Sequence, residues 1–298
     1  MEELKKIIRE KRPNITDSSV KTYASLLKNL YFKDESNKGK DIIVDWFKNS
    51  EKVLPLLKEK TPQTRKTNLA AIIVLLDGKA PKEYISMMND DAEKTKENYE
   101  KQEKSEKQEE NWIDYDDIVA LWNAKYKKVK TMLFNTEPKD KREIQELVKF
   151  MAMTLTGGIF FEPRRSEWIY VKVKNYDPKT ENYLDLKNNQ FCFHKYKTAK
   201  SLGTERITFP KEFKAILTRY LKFIDNDYLI FNARNQPMTN VNLTQVLNGI
   251  YDKKLSTSML RHIYLSHKFK DMPSLKEMNE TAASMGHSVE TMLEYIKK

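Results

Sequence analysis

The chain has a single cysteine, Cys192, which excludes an internal disulfide and any zinc site built from a cysteine cluster. It has no apolar run long enough to span a bilayer and opens on no secretory leader, so a soluble intracellular protein is expected, with no membrane partner. A glycine-rich phosphate loop of the Walker type is missing, as is a cluster of metal-ligand residues, so no cofactor is expected. No internal repeat is apparent. What remains in abundance is charge. The 298 residues carry 54 Lys and Arg against 43 Asp and Glu, a formal net charge of +11. Lys and Arg gain affinity for a polyanion by releasing counterions from its phosphates, so the balance points to a polyanionic partner, nucleic acid or an acidic membrane surface, and the lack of an apolar spanning run favours the first.

The length leaves room for two compact domains, and the charge divides the chain into three parts. Residues 1–80 hold 17 basic and 11 acidic side chains, residues 81–111 hold 6 and 10, and residues 112–298 hold 31 and 22. Two basic bodies thus flank an acidic connector.

In residues 1–80 a short basic lead precedes Thr16 or Asp17, whose side-chain oxygens can cap a helix. Val20, Tyr23, Ala24, Leu27, Leu30 and Tyr31 then recur at helical spacing. A polar loop at 34–40 follows, then a second helical pattern with Ile42, Ile43, Trp46 and Phe47. Pro62 suits the first turn of a further helix, whose core face is Leu69, Ile72, Ile73 and Leu76 and which Gly78 ends. This part reads as an all-helical domain. Residues 93–110 are almost all Glu, Lys and Gln, and mixed charges three and four apart favour a solvated helical spacer across 81–111.

From Trp112 a core returns. Helical patterns cover Ile118 to Val129 and Ile144 to Leu155, and Gly157-Gly158 breaks the second. Between Tyr170 and Phe209 the period changes. Leu184, Leu186, Phe191 and Phe193 alternate with polar residues about Asn188-Asn189, which predicts antiparallel strands. Helical patterns resume near Phe213 and continue to Ile296. Residues 112–298 form a mainly α domain with one small antiparallel sheet.

Five residues in this part suit a phosphodiester. Cleavage of a phosphodiester needs cations for a pentacoordinate phosphorus, a proton for the leaving oxygen and a nucleophile. Guanidinium groups donate two parallel hydrogen bonds to non-bridging oxygens, which an ammonium cannot match. Arg164 lies in Pro163-Arg164-Arg165-Ser166-Glu167, and Arg261 in Leu260-Arg261-His262. Lys197 lies in Lys195-Tyr196-Lys197-Thr198, His287 in Met285-Gly286-His287-Ser288, and Tyr295 near the end. Each alone fits an ordinary surface or structural role, and Lys195 and Lys200 are open substitutes for Lys197. In this order they resemble the tyrosine recombinases, the integrase family that breaks and rejoins DNA through a phosphotyrosine. The likeness runs from about Thr16 onward and is specific from about residue 141.

The resemblance implies a helical core-binding domain (1–80), a linker (81–111) and a catalytic domain (112–298) closing on double-stranded DNA as a homotetramer on paired sites. It implies that Tyr295 attacks the scissile phosphate to leave a 3′-phosphotyrosyl bond. Arg164, Arg261 and His287 would hold the phosphoryl oxygens, with Lys197, on a β-hairpin, as the general acid. Glu167 would orient its neighbours from behind. Exchange would pass through a Holliday junction. The family usually has His three residues before the second Arg, where this chain has Ser258, a hydroxyl that can hydrogen-bond a phosphate oxygen but carries no charge. Burial is expected for His262 and His267. A type IB topoisomerase, a catalytically weakened DNA-binding protein and a metal-dependent nuclease stay open as alternatives. The branch it looks most like is that of integrases from large DNA viruses and mobile elements.

Overall fold

The structure is a computed structural model that describes residues 1–286 and 288–295, with the side chains of Thr291, Glu294 and Tyr295 left aside. It is mainly helical with one three-stranded antiparallel sheet. The chain divides into two compact units, Met1–Glu103 with Pro273–Lys298, and Lys104–Met272. This differs from the division by charge in two respects. The break falls inside the acidic stretch, and the last segment joins the N-terminal unit.

In the first unit the basic lead is itself a helix, α1 (Glu2–Lys11), which buries Leu4 and Ile8. The sequence reading missed it because its apolar residues, Leu4, Ile7 and Ile8, cover little more than one turn among charged neighbours. Helix α2 (Asp17–Tyr31) starts where expected, with the Thr16 hydroxyl accepting from the Ser19 amide at 3.2 Å. Its face of Val20, Ala24, Leu27, Leu30 and Tyr31 is buried. The pattern at 42–47 forms a 3-10 turn (Val44–Lys48) rather than an α-helix, and Ile43 is exposed. Too few residues separate the polar loop from the Asn49 cap for α-helical turns to accumulate. Helices α3 (Ser50–Leu57), α4 (Pro62–Leu76) and α5 (Lys82–Lys101) follow. Pro62 opens α4 as expected, since its missing N–H falls where no partner exists. Asp77 and Gly78, both at positive φ, end it.

The charged stretch is two helices and not one. Helix α5 stops at Gln102, which turns left-handed, and α6 (Glu106–Asn111) restarts from a Ser105–Gln108 capping box. The N-terminal half of α5 is core: the buried Tyr84 hydroxyl donates to Phe47 O at 2.8 Å.

In the second unit α7 (Tyr115–Phe134) and α8 (Lys141–Thr156) pack together, and Gly157 ends α8 as the glycine pair predicts. A 3-10 turn (Ser166–Tyr170) leads to β1 (Tyr183–Asp185) and β2 (Gln190–Phe193). A short helix α9 (Ala199–Leu202), β3 (Glu205–Thr208), α10 (Lys211–Phe223), α11 (Asn240–Tyr251) and α12 (Thr257–Lys268) complete it. Leu184 pairs with Phe191, and Phe191 with Ile207, so one face of the sheet meets the core. Leu186 lies beyond β1 and is exposed. Trp168 sits at the centre, edge-on to Phe191 and Phe193 at 5.0 and 5.2 Å. The remaining helices, α13 (Leu275–Ser284) and α14 (Val289–Tyr295), belong with the first unit, where Gln102 Oε1 accepts from the Leu275 amide at 2.8 Å.

Candidate active site

After Gly157 the chain turns through Gly158, at φ +83°, and runs back along α12. A Cβ on Gly158 would lie 2.7 Å from Tyr264 Cδ2 and 3.2 Å from both Pro163 Cγ and Tyr115 Cε2, so only glycine fits. Tyr115 donates to Gly158 O at 2.6 Å and stands edge-on to Tyr264 at 5.5 Å. Ser166 Oγ lies 3.5 Å from Thr257 Oγ1, and Lys268 pairs with Glu162. That carboxylate, with the nearby Tyr264 hydroxyl, raises the ammonium pKa of Lys268 above its ordinary value. Residues 158–167 are thereby fastened along α12, which brings a residue near 164 beside one near 261.

The result is a cleft of about 360 Å³ lined by Arg164, Arg165, Glu167, Tyr196, Glu205 and Arg261, among others. Two of the sequence-derived residues, Arg164 and Arg261, thus share one cleft, and so does Glu167. The Glu167 carboxylate is buried, with one oxygen lacking a hydrogen-bond partner among the described residues. Arg261 is half-buried and has neither ion-pair nor hydrogen-bond partner among the described residues. A cation left uncompensated in a concave site is an anion-binding element.

Arg164 is held differently. Its guanidinium lies 4.3 Å from the Phe193 ring and 5.5 Å from the Tyr196 ring, and Nη1 forms an ion pair with Glu205 Oε2 at 2.8 Å. Phe193 and Glu205 are register partners on β2 and β3, so one cross-strand pair supplies both the stacking surface and the counter-charge.

Lys197 lies not on the strand but in the loop after it, because β2 ends at Phe193. Its side chain is exposed, between the cleft-lining residues Tyr196 and Thr198. The loop is built rather than slack. Buried Asn182 accepts from the His194 and Lys195 amides at 2.8 and 2.7 Å and donates to Lys195 O at 2.9 Å. Tyr196 Oη donates to Gly203 O at 2.7 Å and closes the loop from the other end.

No family model, curated protein or solved structure matches this chain. Ser258 is exposed in the first turn of α12, three residues before Arg261 and so on the same side of the helix. His262 and His267 are exposed, contrary to the expected burial, because α12 turns Leu260 and Ile263 to the core. The His267 ring still rests against Tyr115 at 4.8 Å. His287 lies outside the described residues. Tyr295 is the last residue of α14, in the unit that holds the N-terminal helices.

Sequence reasoning missed Phe193, Tyr196 and Glu205 as the setting of Arg164, and Asn182 as the clamp of the Lys197 loop. Their only signal is strand register: once Phe191 is paired with Ile207, Glu205 falls opposite Phe193.

Proposed function

We propose that this chain is a DNA strand transferase of the tyrosine recombinase type, acting on duplex DNA without a cofactor. The observation that carries the reading is the convergence of Arg164 and Arg261, from distant parts of the sequence, on one cleft. Two guanidinium groups suit the two non-bridging oxygens of a phosphodiester, whose negative charge grows in the transition state. In the proposed step the Tyr295 phenol gives its proton to water as its oxygen attacks phosphorus, and the P–O5′ bond breaks with the 5′ oxygen taking a proton from Lys197. A 3′-phosphotyrosyl ester remains. Attack by a 5′-hydroxyl from a partner strand reverses the step and rejoins the DNA. His287 is the third phosphate contact in this scheme, Glu167 a positioning residue, and a homotetramer on paired sites the working assembly.

The surface of the second unit favours a polyanionic partner. Helices α7 and α10 pack on each other, and Lys127, Lys128, Lys130, Lys211, Lys214 and Lys222 are exposed on them without acidic partners among the described residues. Among the described residues no helix is long and apolar enough to cross a membrane.

The test incubates the full chain, with EDTA, with a pool of nicked duplexes of random sequence. The expected product is a protein–DNA adduct that survives boiling in detergent and disappears in Tyr295→Phe. Wild-type protein that binds the pool yet forms no adduct would leave only a DNA-binding role. An adduct that persists in Tyr295→Phe would remove that tyrosine as nucleophile.

A further inference from the structure

The Arg164 guanidinium is already occupied by a carboxylate. Its side chain is 13% exposed and rests against two aromatic rings, whereas the Glu205 side chain is 42% exposed. Of the two partners, only the glutamate can swing into solvent without breaking other contacts. Arg164 Nε, on the inner edge of the group, is buried and has no hydrogen-bond partner among the described residues. Arg261, on the same cleft, has none either. A carboxylate and a phosphate oxygen pair present similar acceptors to a guanidinium, so they compete for it.

We propose that Glu205 is a resident counter-ion that gates the cleft, yielding Arg164 only to an oxyanion that engages Arg261 as well. Glu205 thereby acts as a selectivity element. A small anion that meets one arginine gains too little to displace the carboxylate, whereas a phosphate group bridging both replaces one ion pair by two. The proposal rests on reading the cleft as a phosphate site, and does not need the strand-transfer step.

The test follows the arginine Nε–Hε signals of the intact protein by NMR during titration with inorganic phosphate, with Arg164→Lys and Arg261→Lys used to assign them. Glu205→Gln is expected to bind phosphate about fivefold more tightly than wild type, the scale of one partly exposed ion pair. Glu205→Asp, which withdraws the carboxylate by one methylene, should move in the same direction and serves if the Gln variant folds poorly. Glu146→Gln removes the same charge and frees Lys149 outside the cleft, and should bind as wild type does. Phosphate that shifts both arginine signals with equal or weaker affinity in Glu205→Gln overturns the gate while leaving the cleft intact. The same gain in Glu146→Gln as in Glu205→Gln would reduce the effect to net charge and also overturn it. Signals that phosphate never moves, in any variant, would remove the phosphate site and the gate together.

Discussion

The Arg65 guanidinium covers the buried carboxylate of Asp91 through two hydrogen bonds, Nε to Oδ2 at 2.7 Å and Nη2 to Oδ1, and so ties α4 to α5. Arg65 Nη1 also donates to Lys58 O and Lys60 O, at 3.2 and 3.0 Å, and holds the turn after α3. Removing one member strands the other. Asp91→Ala should cost the first unit about 3 kcal/mol in a urea titration, because a largely buried guanidinium loses its counter-charge and the acceptor for Nε and Nη2. A loss below about 1 kcal/mol would mean that water reaches the site.

In the second unit, the Trp122 indole donates to Thr154 Oγ1 at 2.8 Å, and the Thr154 hydroxyl in turn donates to Phe150 O at 2.8 Å. Thr154→Val keeps the shape and removes the acceptor. It should destabilise the unit by about 1–3 kcal/mol, the cost of an unsatisfied buried donor, with Thr154→Ser close to wild type. Equal stability of the Val and Ser variants would show that the bond contributes nothing net.

Gly158→Ala should damage both fold and site. Its φ is left-handed and its Cβ would press on Tyr264, Pro163 and Tyr115. A loss of about 2 kcal/mol or more is expected from strain and overpacking combined. Because the same contacts set Arg164 beside α12, adduct formation should fall further than the folded fraction does. A variant that melts early yet reacts normally per folded molecule would separate this turn from the site.

Acid should weaken the start of α8. The Asp140 carboxylate accepts from the Glu143 and Arg142 amides, and the first of these bonds is the main cause of its lowered pKa. A lowered folded-state value means that its stabilisation is complete above the ordinary value of 3.8 and fades as pH falls through the lower one. The melting-temperature gap between wild type and Asp140→Asn should therefore close between neutral pH and about pH 2. A gap that does not change with pH would show that the amide caps as well as the charge does.

Arg261→Lys tests whether geometry or charge matters in the cleft. Lysine keeps the charge and loses the planar fork, so adduct formation should slow by about 100-fold or more. Arg261 has no partner among the described residues, so stability should move by less than about 0.5 kcal/mol. Unchanged kinetics would leave Arg261 as a bulk electrostatic contact.

The elements that sequence made legible are those specified locally. The α2 cap at Thr16, Pro62 at the head of α4 and the Gly157 stop each depend on atoms within a turn of one another. The misses have equally local reasons. The α1 stripe is little more than one turn long, the 42–47 segment is too short for an α-helix, and a left-handed Gln102 is invisible in a uniformly charged run. In the site, the motifs singled out Arg164, Glu167 and Arg261 by residue type, and those three line one cleft.

By itself the sequence determined the basic charge, the helical character and the small sheet, and it singled out Arg164, Glu167 and Arg261 by residue type, because composition and periodicity act over a few residues. Only the tertiary structure decided that Phe193 and Glu205 face each other across two strands and together hold Arg164. It alone decided that His262 and His267 stay at the surface and that residues 273–298 join the N-terminal helices. The placing of Arg164 on that hairpin, and of residues 273–298 with the N-terminal helices, is settled by packing between segments far apart in the chain, which no short-range pattern encodes.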